Sequence, residues 1–510
     1  MLSKVLSASV IGIEAFRVEV EVDISSRGLP HFSMVGLPDA AVKESRDRVR
    51  ASLKNIGFNF PLKQITVNLA PADLKKEGSA FDLPMAVGII ASEGLIEQTV
   101  LDGYLFTGEL SLDGRIKPVR GALSMALMAR EAGLKGIILP DENAPEAGVV
   151  NGVKVFGIKS LPEVVDFLRG MKNYEPYVTD LEGIMKVHSI YEDDFSEVKG
   201  QEHAKRALEV AAAGGHNVLM IGPPGSGKTM LSKRISTVLP NMTFNEALET
   251  TRIHSIAGLL KDEQPLLATR PFRSPHHTIS DVALIGGGQI PKPGEVSLAH
   301  NGVLFLDEMP EFKRNVLEVL RQPIENGEVT VSRAVASVTY PASFMLVSAM
   351  NPCPCGYLSD PRHQCTCTPG QIYRYRRRVS GPLLDRIDIH IEVPAVHYKE
   401  LSTEYAGEKS ETIRRRVIAA RDLQLERFRG DRIYCNGQMK TRHIKKYCRM
   451  KPDAQRLIET AMEKLGLSAR AYTRILKLAR TIADLELSED IQPHHISEAI
   501  QYRTLDRGLF

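Results

Sequence analysis

Apolar residues in the first third of the chain recur with two periods, one typical of strands and the other typical of helices. The pattern predicts two strands and two helices, over residues 17–24, 64–69, 40–56 and 122–132. This mixture indicates an α/β domain over residues 1–172. Beyond it the apolar periodicity fades into Tyr, Glu, Asp and Lys residues, which indicates a linker over 173–190.

After the linker, strands that are almost wholly apolar alternate with helices. The predicted helix and strands lie over 204–213, 217–221, 303–306 and 344–350. Such strands are typical of a parallel sheet that is covered by helices on both faces, so we predict one α/β domain over 191–396. From 397 to 510 helical periodicity continues almost without strand patterns, which predicts a helical lid domain.

Composition limits the class of protein without giving a function. The 510 residues suffice for about three domains, and 43% apolar with 25% charged residues is ordinary globular usage, which excludes disorder as the main state. There are 65 Lys and Arg residues against 62 Asp and Glu residues. The net charge of +3 therefore neither favours nor excludes nucleic acid, and any basic binding surface must be local.

The sequence predicts a cytoplasmic protein that has no membrane partner. Charged residues such as Glu14 and Arg17 interrupt the first apolar stretch before it resembles a signal sequence, and no later stretch is long enough to span a bilayer. Six cysteines are too few for a disulfide scaffold in a chain of this length, which indicates a reducing compartment.

The strongest chemical motif is a glycine-rich run between an apolar strand and a helix. It reads Gly222-Pro223-Pro224-Gly225-Ser226-Gly227-Lys228-Thr229. Glycines in this pattern let backbone N–H groups turn towards phosphate oxygens at a helix N-terminus. We expect Lys228 to bridge the outer phosphates of a nucleotide and the Thr229 hydroxyl to bind Mg²⁺.

Two further strand ends complete the predicted nucleotide site. Strand 303–306 ends in Asp307 and Glu308, and strand 344–350 ends in Asn351. We expect Asp307 to hold Mg²⁺ through water and Glu308 to polarise the attacking water. The amide of Asn351 is placed to orient the same water from the neighbouring strand.

Four of the six cysteines crowd into one loop just after Asn351. They form two pairs, Cys353 with Cys355 and Cys365 with Cys367. Four thiolates in two close pairs match a tetrahedral Zn²⁺ site, although C-x-C is tighter than the usual C-x-x-C spacing. Two interpretations stay open, a zinc site and a loop of reduced cysteines.

Taken together, these motifs resemble the AAA+ ATPases, and among them the magnesium-chelatase-like ComM/YifB family. The resemblance is carried by residues 198–201, 222–229, 272–277, 294–308, 351–356 and 380–388. It implies ATP as the nucleotide and a homo-hexameric ring with ATP between subunits. It implies that Val198 and Gln201 belong to the nucleotide site. It also implies that Arg386 is an arginine finger acting on the neighbour's ATP, and that Arg470 is the second-sensor arginine, with Arg474 as the alternative.

The N-terminal domain is similar to the Lon-type protease domain, which has a ribosomal S5 domain 2-like α/β fold. The similarity is carried by residues 76–83 and 108–118. In this register Ala80 and Met125 stand at the positions of the catalytic Ser and Lys, so we predict a protease fold without the Ser-Lys dyad. Ser79, one residue away, leaves residual peptidase activity as the alternative.

Two features favour nucleic acid as a partner. The run Tyr373-Arg-Tyr-Arg-Arg-Arg378 interleaves aromatic and cationic side chains that stack on bases and neutralise phosphates, although a solvated basic turn fits equally well. Two predicted strands, 328–332 and 335–340, join around Arg333. In related minichromosome-maintenance and chelatase-type helicases a hairpin here points a basic tip into the pore. Arg333 is therefore the candidate DNA contact, with a structural salt bridge as the alternative.

The predicted fold class is a multidomain α/β protein with a Lon-protease-like domain, an AAA+ core and a helical lid. The resemblance implies an ATP-driven hexameric DNA translocase or helicase that promotes branch migration when imported DNA recombines, as in natural transformation. The alternative, from another class, is an ATP-dependent protein-remodelling motor of the magnesium-chelatase type. Both would use the same ATP chemistry, and they differ in the ligand of the pore.

Overall fold

The computed structural model describes most of the chain, and its residues fall into two compact units. The described residues are 2–26, 29–187, 191, 193–260, 264–288, 291–332, 337–358, 360, 362–395, 407–431 and 433–503. One unit comprises 1–187 with 247–267, and the other comprises 188–246 with 268–510. Within the described ranges, no helix has both the length and the apolar character needed to cross a membrane.

The first unit is built on a seven-stranded mixed sheet. Its strands are β1 (Leu2–Ile11), β2 (Glu14–Ser25), β3 (His31–Val35), β4 (Gln64–Ala70), β5 (Tyr104–Phe106), β6 (Glu109–Leu110), β7 (Ile116–Lys117), β8 (Gly136–Pro140) and β9 (Lys154–Ile158). Its helices are α1 (Ala40–Asn55), α2 (Asp82–Ser92), α3 (Gln98–Leu101), α4 (Ala122–Glu131), α5 (Ala144–Ala147), α6 (Leu161–Leu168) and α7 (Leu181–Val187). The strand order is β3-β4-β2-β1-β5-β8-β9, with β6 and β7 forming a separate pair.

Strict alternation in β2 explains how this unit acquires its core. Val18, Val20 and Val22 are fully buried on one face of the strand. Helix α2 packs against β1 and β2 and is buried at every residue. The carboxylate of Asp82 at its first turn accepts two hydrogen bonds from Arg48, at 2.7 and 3.0 Å. The predicted strands and helices of this unit are confirmed.

A segment from the middle of the chain completes the first unit. Residues 247–267 belong to this unit, although the alternation of strand and helix patterns in the sequence places them inside the predicted domain over 191–396. Arg252 donates to the backbone carbonyl of Ile13 at 2.7 Å, and the Ser255 hydroxyl donates to the half-buried carboxylate of Glu146 at 2.5 Å. Burial raises the pKa of Glu146. These hydrogen bonds join sequence-distant parts of one folded unit.

The protease-like positions of the first unit hold no serine-to-lysine contact among the residues that the structure describes. Met125 is buried on α4. The Ser79 hydroxyl donates to the carboxylate of Glu109. The Lys76 ammonium is buried and donates to the carbonyls of Pro71 and Leu74. The absence of the Ser-Lys dyad stays a prediction, and these contacts agree with it.

The second unit contains a five-stranded sheet and a helical region. Its strands are β10 (Val218–Ile221), β11 (Phe272–Arg273), β12 (Gly286–Gly287), β13 (Lys292–Pro293), β14 (Val303–Leu306), β15 (Glu328–Ser332), β16 (Ser337–Pro341), β17 (Met345–Met350) and β18 (Ile389–Glu392). Its helices are α8 (Glu202–Gly214), α9 (Lys228–Arg234), α10 (Phe244–Ala257), α11 (Asp281–Ile285), α12 (Glu295–Leu298), α13 (Arg314–Glu318), α14 (Arg321–Asn326), α15 (Pro369–Arg376), α16 (Gly381–Leu384), α17 (Ser410–Arg427), α18 (Thr441–Tyr447), α19 (Pro452–Leu465), α20 (Ala469–Leu485) and α21 (Pro493–Gln501). Helix α10 passes into the first unit at residue 247.

The sheet of the second unit is parallel, as predicted. Its strand order is β11-β14-β17-β10-β18, and each neighbouring pair is parallel. Strands β10 and β14 are buried at every residue, which accounts for their apolar sequences. Helices α8, α17, α20 and α21 share one hydrophobic core with this sheet. The boundary predicted between 396 and 397 therefore stays a prediction.

Removing the carboxylate of Asp484 should destabilise the helical region strongly. Asp484 is fully buried, accepts from Arg427 at 2.5 Å and pairs with Arg480 at 3.1 Å. Asp484→Ala would leave two guanidinium groups without their acid, so we expect a loss of about 3–5 kcal/mol in the free energy of unfolding.

Urea unfolding followed by circular dichroism measures this loss. The matched control is Asp453→Ala, which removes an exposed acid paired with Arg456 and should change little. Equal stability of both variants would contradict the structural role of Asp484.

Candidate nucleotide site

The carboxyl ends of three neighbouring strands bring the predicted nucleotide-site residues to one edge of the parallel sheet. Ile221 of β10 lies opposite Met350 of β17, and Leu306 of β14 lies opposite Ser348 of β17. The next residues along these strands are the glycine-rich loop, Asn351 and the acid pair. Their meeting follows from the parallel register and not from any motif alone.

The glycine-rich loop needs glycine for close approach and for its backbone conformation. A Cβ atom at Gly222 would lie 2.1 Å from the carbonyl oxygen of Val393, which no side chain can tolerate. Gly225 and Gly227 have φ angles of 75° and 85°, in the left-handed region that favours glycine. Helix α9 begins at Lys228, directly after this turn. Backbone N–H groups at this helix start are therefore available to phosphate oxygens.

Lys228 is held at the centre of the site. Its ammonium donates to the carbonyls of Gly222 and Pro223, both at 2.8 Å, and to the amide oxygen of Asn351 at 3.3 Å. Burial lowers the pKa of Lys228, and the nearby charges of Asp307 and Glu308 oppose that shift. Its hydrogen-bond partners among the described residues are neutral. A buried ammonium in such surroundings favours an anionic ligand such as a phosphate group.

A hydroxyl and a carboxylate lie together beside Lys228. The Thr229 hydroxyl donates to the carboxylate of Asp307 at 2.7 Å. Hydroxyl and carboxylate oxygens are ligands that Mg²⁺ prefers, so this pair fits a nucleotide-bound magnesium ion. Glu308 follows in a left-handed conformation with φ of 52° and is exposed. Its carboxylate is thus accessible to a water molecule at the sheet edge.

Gln201 supports the loop from the side. Its side-chain amide donates to the carbonyl of Ser226 at 2.7 Å and to that of Pro394 at 3.2 Å. Val198 is buried in the hydrophobic core a short distance before it. Ser226 is itself buried. The structure therefore places Gln201 against the loop, while its contact with a nucleotide stays a prediction.

The predicted arginine finger is buried within its own chain. Arg386 follows α16, and its guanidinium pairs with Glu325 and donates to the carbonyl of Pro382 at 2.5 Å. Only 9% of its side chain is exposed. Action on a neighbouring subunit would require Arg386 to leave Glu325, and its role as a finger stays a prediction.

The two candidate second-sensor arginines differ in their surroundings. Arg470 is exposed and donates to Asp385 at 3.3 Å. Arg474 pairs with the buried carboxylate of Asp388. Burial alone would raise the pKa of Asp388, but the charges of Arg474 and Lys477 and the hydrogen bond from His216 together outweigh burial and lower that pKa. Arg474 is therefore held by a structural ion pair, whereas Arg470 keeps the greater freedom to reach a ligand.

The loop that follows Asn351 gathers its four cysteines. The sulfur atoms of Cys353, Cys355, Cys365 and Cys367 all lie within 4.8 Å of one another. None of these residues forms a disulfide. The four thiols therefore meet in space, while the choice between a zinc site and reduced cysteines stays a prediction. Arg333, the predicted DNA contact, lies outside the described residues, while the two strands that flank it pair as the antiparallel hairpin β15–β16.

A basic groove lies beside the acid pair, between residues 310–314 and 370–382. It has a volume of about 1040 Å³. Its cationic lining consists of Lys313, Arg314, Arg374, Arg377 and Arg378. Arg378 pairs with Glu311 at 2.7 Å, whereas the other four form no salt bridge within the described part of the chain. We call this feature the basic groove.

Comparison with known proteins identifies the family. Three family profiles match consecutive parts of the chain: "Magnesium chelatase, subunit ChlI" over 194–401, "Subunit ChlI of Mg-chelatase" over 20–143, and "Magnesium chelatase, subunit ChlI C-terminal" over 407–503. YifB of Salmonella typhimurium is 46% identical over 510 residues, which cover 100% of this chain and 98% of that protein. Competence protein ComM of Haemophilus influenzae is 45% identical over 513 residues, with coverage of 100% and 98%. The chain belongs to the ComM/YifB family.

Membership of the ComM/YifB family gives the site its general chemistry. The magnesium-chelatase-like AAA+ family implies an ATPase that uses ATP and Mg²⁺. Lon protease 2 of Bacillus subtilis is similar over a shorter stretch, 27% identical over 158 residues, which cover 31% of this chain and 27% of that protease. This weaker similarity is consistent with a Lon-like domain.

Two features of this ComM/YifB site are not evident in the sequence. Glu325 lies near the end of α14 and belongs to no recognisable motif. Its pairing with Arg386 therefore depends on tertiary structure. The charges of Lys313 and Arg314 are visible in the sequence, but only the fold brings them opposite α15. In the sequence, the only indication that Lys313 and Arg314 lie near the nucleotide site is that they follow Glu308 closely.

Replacing Glu308 by Gln should separate ATP binding from hydrolysis. The amide keeps the size of the side chain but cannot polarise a water molecule, so we expect turnover to fall by about 10²-fold or more while ATP still binds. Steady-state hydrolysis and equilibrium binding of labelled ATP measure the two effects. The same change at the exposed Glu463 should alter neither. Full turnover by the Glu308→Gln variant would remove Glu308 from the chemistry.

Proposed function

We propose that this protein is a cytoplasmic, ATP-driven DNA translocase or helicase that works as a homo-hexamer and promotes branch migration during recombination of imported DNA. The main structural support for DNA as the ligand is the basic groove beside Asp307 and Glu308. The name of the relative ComM, a competence protein, supports a role in the uptake or recombination of DNA.

The proposed ATP chemistry uses the residues at the sheet edge. Lys228 would exchange its carbonyl partners for phosphate oxygens, and Thr229 and Asp307 would hold Mg²⁺, which supplies charge neutralisation on the phosphates when bound. Glu308 would accept a proton from the attacking water, and Asn351 would orient that water. Asn351 already contacts Lys228, and the two residues follow adjacent parallel strands. Both side chains would therefore lie close to the γ-phosphate.

The chemistry of the basic groove matches single-stranded nucleic acid. Lys313, Arg314 and Arg374 are exposed cations that face a cavity large enough for a strand. The exposed ring of Tyr373 lies 5.1 Å from the Arg377 guanidinium and offers a surface on which a base can stack. Cations without acid partners neutralise phosphates at little cost, because no existing ion pair must break.

The location of the basic groove connects it to the nucleotide site. A short 3₁₀ turn, Met309–Glu311, follows Glu308 directly and leads into the groove wall. On the other side the groove is lined by α15 and by the start of α16, shortly before Arg386. A change at the γ-phosphate would therefore reach the groove through a few residues on either side. This arrangement supports coupling of ATP state to the bound strand.

The hairpin β15–β16 belongs to the same proposal. Its strands pair from Glu328 to Ser332 with Ser337 to Pro341, and Tyr340 at its base donates to the carbonyl of Pro291 at 2.7 Å. We propose that Arg333, which lies in the sequence between these two strands and outside the described residues, contacts DNA in the pore of the ring. Subunit association would bring Arg386 to the neighbouring ATP after it leaves Glu325.

A protein-remodelling motor is the second candidate function. The observation that favours it is the match to the magnesium chelatase ChlI profile, since that description names a chelatase subunit. Such a motor would hydrolyse ATP with the same residues. A protein partner, and not DNA, would then stimulate its turnover.

Neutralising the basic groove should weaken DNA binding in a salt-dependent manner. The triple variant Lys313→Gln, Arg374→Gln, Arg377→Gln removes three candidate phosphate contacts. For single strands each contact contributes about 0.7 to the slope of log K against log salt. We therefore expect the slope to fall by about 2, with much weaker binding at low salt. Titration of a labelled oligothymidine at several salt concentrations gives this slope.

A charge-matched control separates the effect of removing groove cations from the effect of lowering the net positive charge of the protein. The control Lys445→Gln, Arg449→Gln, Lys451→Gln removes the same charge from exposed positions in the helical region. It should keep the slope of the unmodified protein. Equal slopes for the groove variant and the control would contradict the groove as the DNA site, and absence of DNA binding by the unmodified protein would favour the remodelling motor.

A further inference from the structure

The four-cysteine cluster, Cys353, Cys355, Cys365 and Cys367, has the dimensions of a metal site. The sulfur of Cys353 lies 3.3 Å from that of Cys355 and 3.7 Å from that of Cys365. The sulfurs of Cys355 and Cys365 are 3.6 Å apart. Four sulfur ligands at the usual zinc–sulfur distance of about 2.3 Å, arranged tetrahedrally, lie about 3.8 Å from one another. The observed separations are close to this value.

The same distances do not fit covalent pairing of the thiols. A disulfide requires a sulfur–sulfur distance of about 2.05 Å, and no pair in the cluster approaches it. Loops of reduced cysteines without a shared ligand have no reason to gather four sulfurs around one point, because each thiol gains little from the others. A central cation supplies that reason.

Backbone N–H groups around the cluster point at sulfur. The N–H of Cys355 donates to the sulfur of Cys367 at 3.3 Å, and the N–H of Cys367 donates to the sulfur of Cys365 at 3.5 Å. Such bonds stabilise sulfur atoms that carry negative charge, as metal-bound thiolates do. The turn that closes the first pair depends on Gly356, which has a φ angle of 89°. The N–H of Gly356 donates to the carbonyl of Cys353 at 3.0 Å and closes this turn.

We propose that the four-cysteine cluster binds one structural Zn²⁺ ion per chain. Four sulfur ligands in tetrahedral arrangement are typical of zinc or of iron–sulfur centres, and the close packing of these sulfurs around one point selects a single ion. His363 is not part of this cluster. It is exposed, its ring lies 4.8 Å from that of Tyr357 at an angle of 34°, and its Nδ1 is 3.2 Å from Asp360.

The position of the metal gives it a role beyond loop stability. Cys353 follows Asn351 by two residues, and Cys367 immediately precedes Thr368, the N-cap of α15. A Cβ atom at Gly356 would lie 2.6 Å from Pro224 of the glycine-rich loop, so the cluster packs closely against that loop. The zinc ion would thus fix Asn351, the phosphate-binding loop and the basic-groove helix α15 relative to one another.

Metal analysis of the purified chain tests this proposal without ATP or DNA, so its outcome does not depend on the proposed function. The protein is purified under reducing conditions without added metal, and its metals are quantified by mass spectrometry. We expect one zinc per chain, released as four thiols react with a mercurial reagent. Replacement by Co²⁺ should produce the visible absorption of a tetrahedral sulfur-ligated ion.

Variants localise the metal. Cys353→Ser and Cys365→Ser should reduce zinc from one per chain to background, whereas Cys435→Ala and Cys448→Ala, at buried cysteines elsewhere, should retain it. The zinc content of the unmodified protein shows whether the chain binds zinc, even if a variant fails to fold. Absence of stoichiometric zinc, iron in its place, or disulfides within the cluster would each overturn the proposal.

Discussion

The Lys228 ammonium, held between two loop carbonyls and the amide of Asn351, is the interaction on which the candidate site depends. It is possible only because β10 and β17 are parallel neighbours whose last residues lie side by side. The same register places Asp307 at the end of the next strand, within reach of Thr229. A buried cation with two acids nearby is stable in the folded chain and is prepared for a polyanion that carries its own magnesium ion.

Local patterns in the sequence were sufficient for much of the fold and the site. The apolar strands β10, β14 and β17 were predictable because buried parallel strands contain almost no polar residues. The glycine-rich loop was predictable because its spacing reflects steric limits that the structure displays directly at Gly222. The clustering of the cysteines followed from their spacing within one loop. All these features arise from residues that are near one another along the chain.

The features that sequence reasoning missed depend on contacts between distant segments. Residues 247–267 pack in the first unit through Arg252 and Ser255, and nothing in their own pattern distinguishes them from other helical segments. The ion pair of Arg386 with Glu325 and the meeting of Lys313 with α15 likewise arise only when the chain is folded. Charge and periodicity report which side chains are available, whereas the tertiary fold decides which of them meet.

We propose that an ATP site at the edge of the parallel sheet drives movement on DNA. The decisive assay is ATP hydrolysis by the purified protein with Mg²⁺, in the presence and absence of single-stranded or forked DNA, with Lys228→Ala as the blank. We expect turnover that rises several-fold with DNA and disappears in the Lys228→Ala variant. Appreciable turnover that is indifferent to DNA would contradict it and would favour a motor that acts on protein.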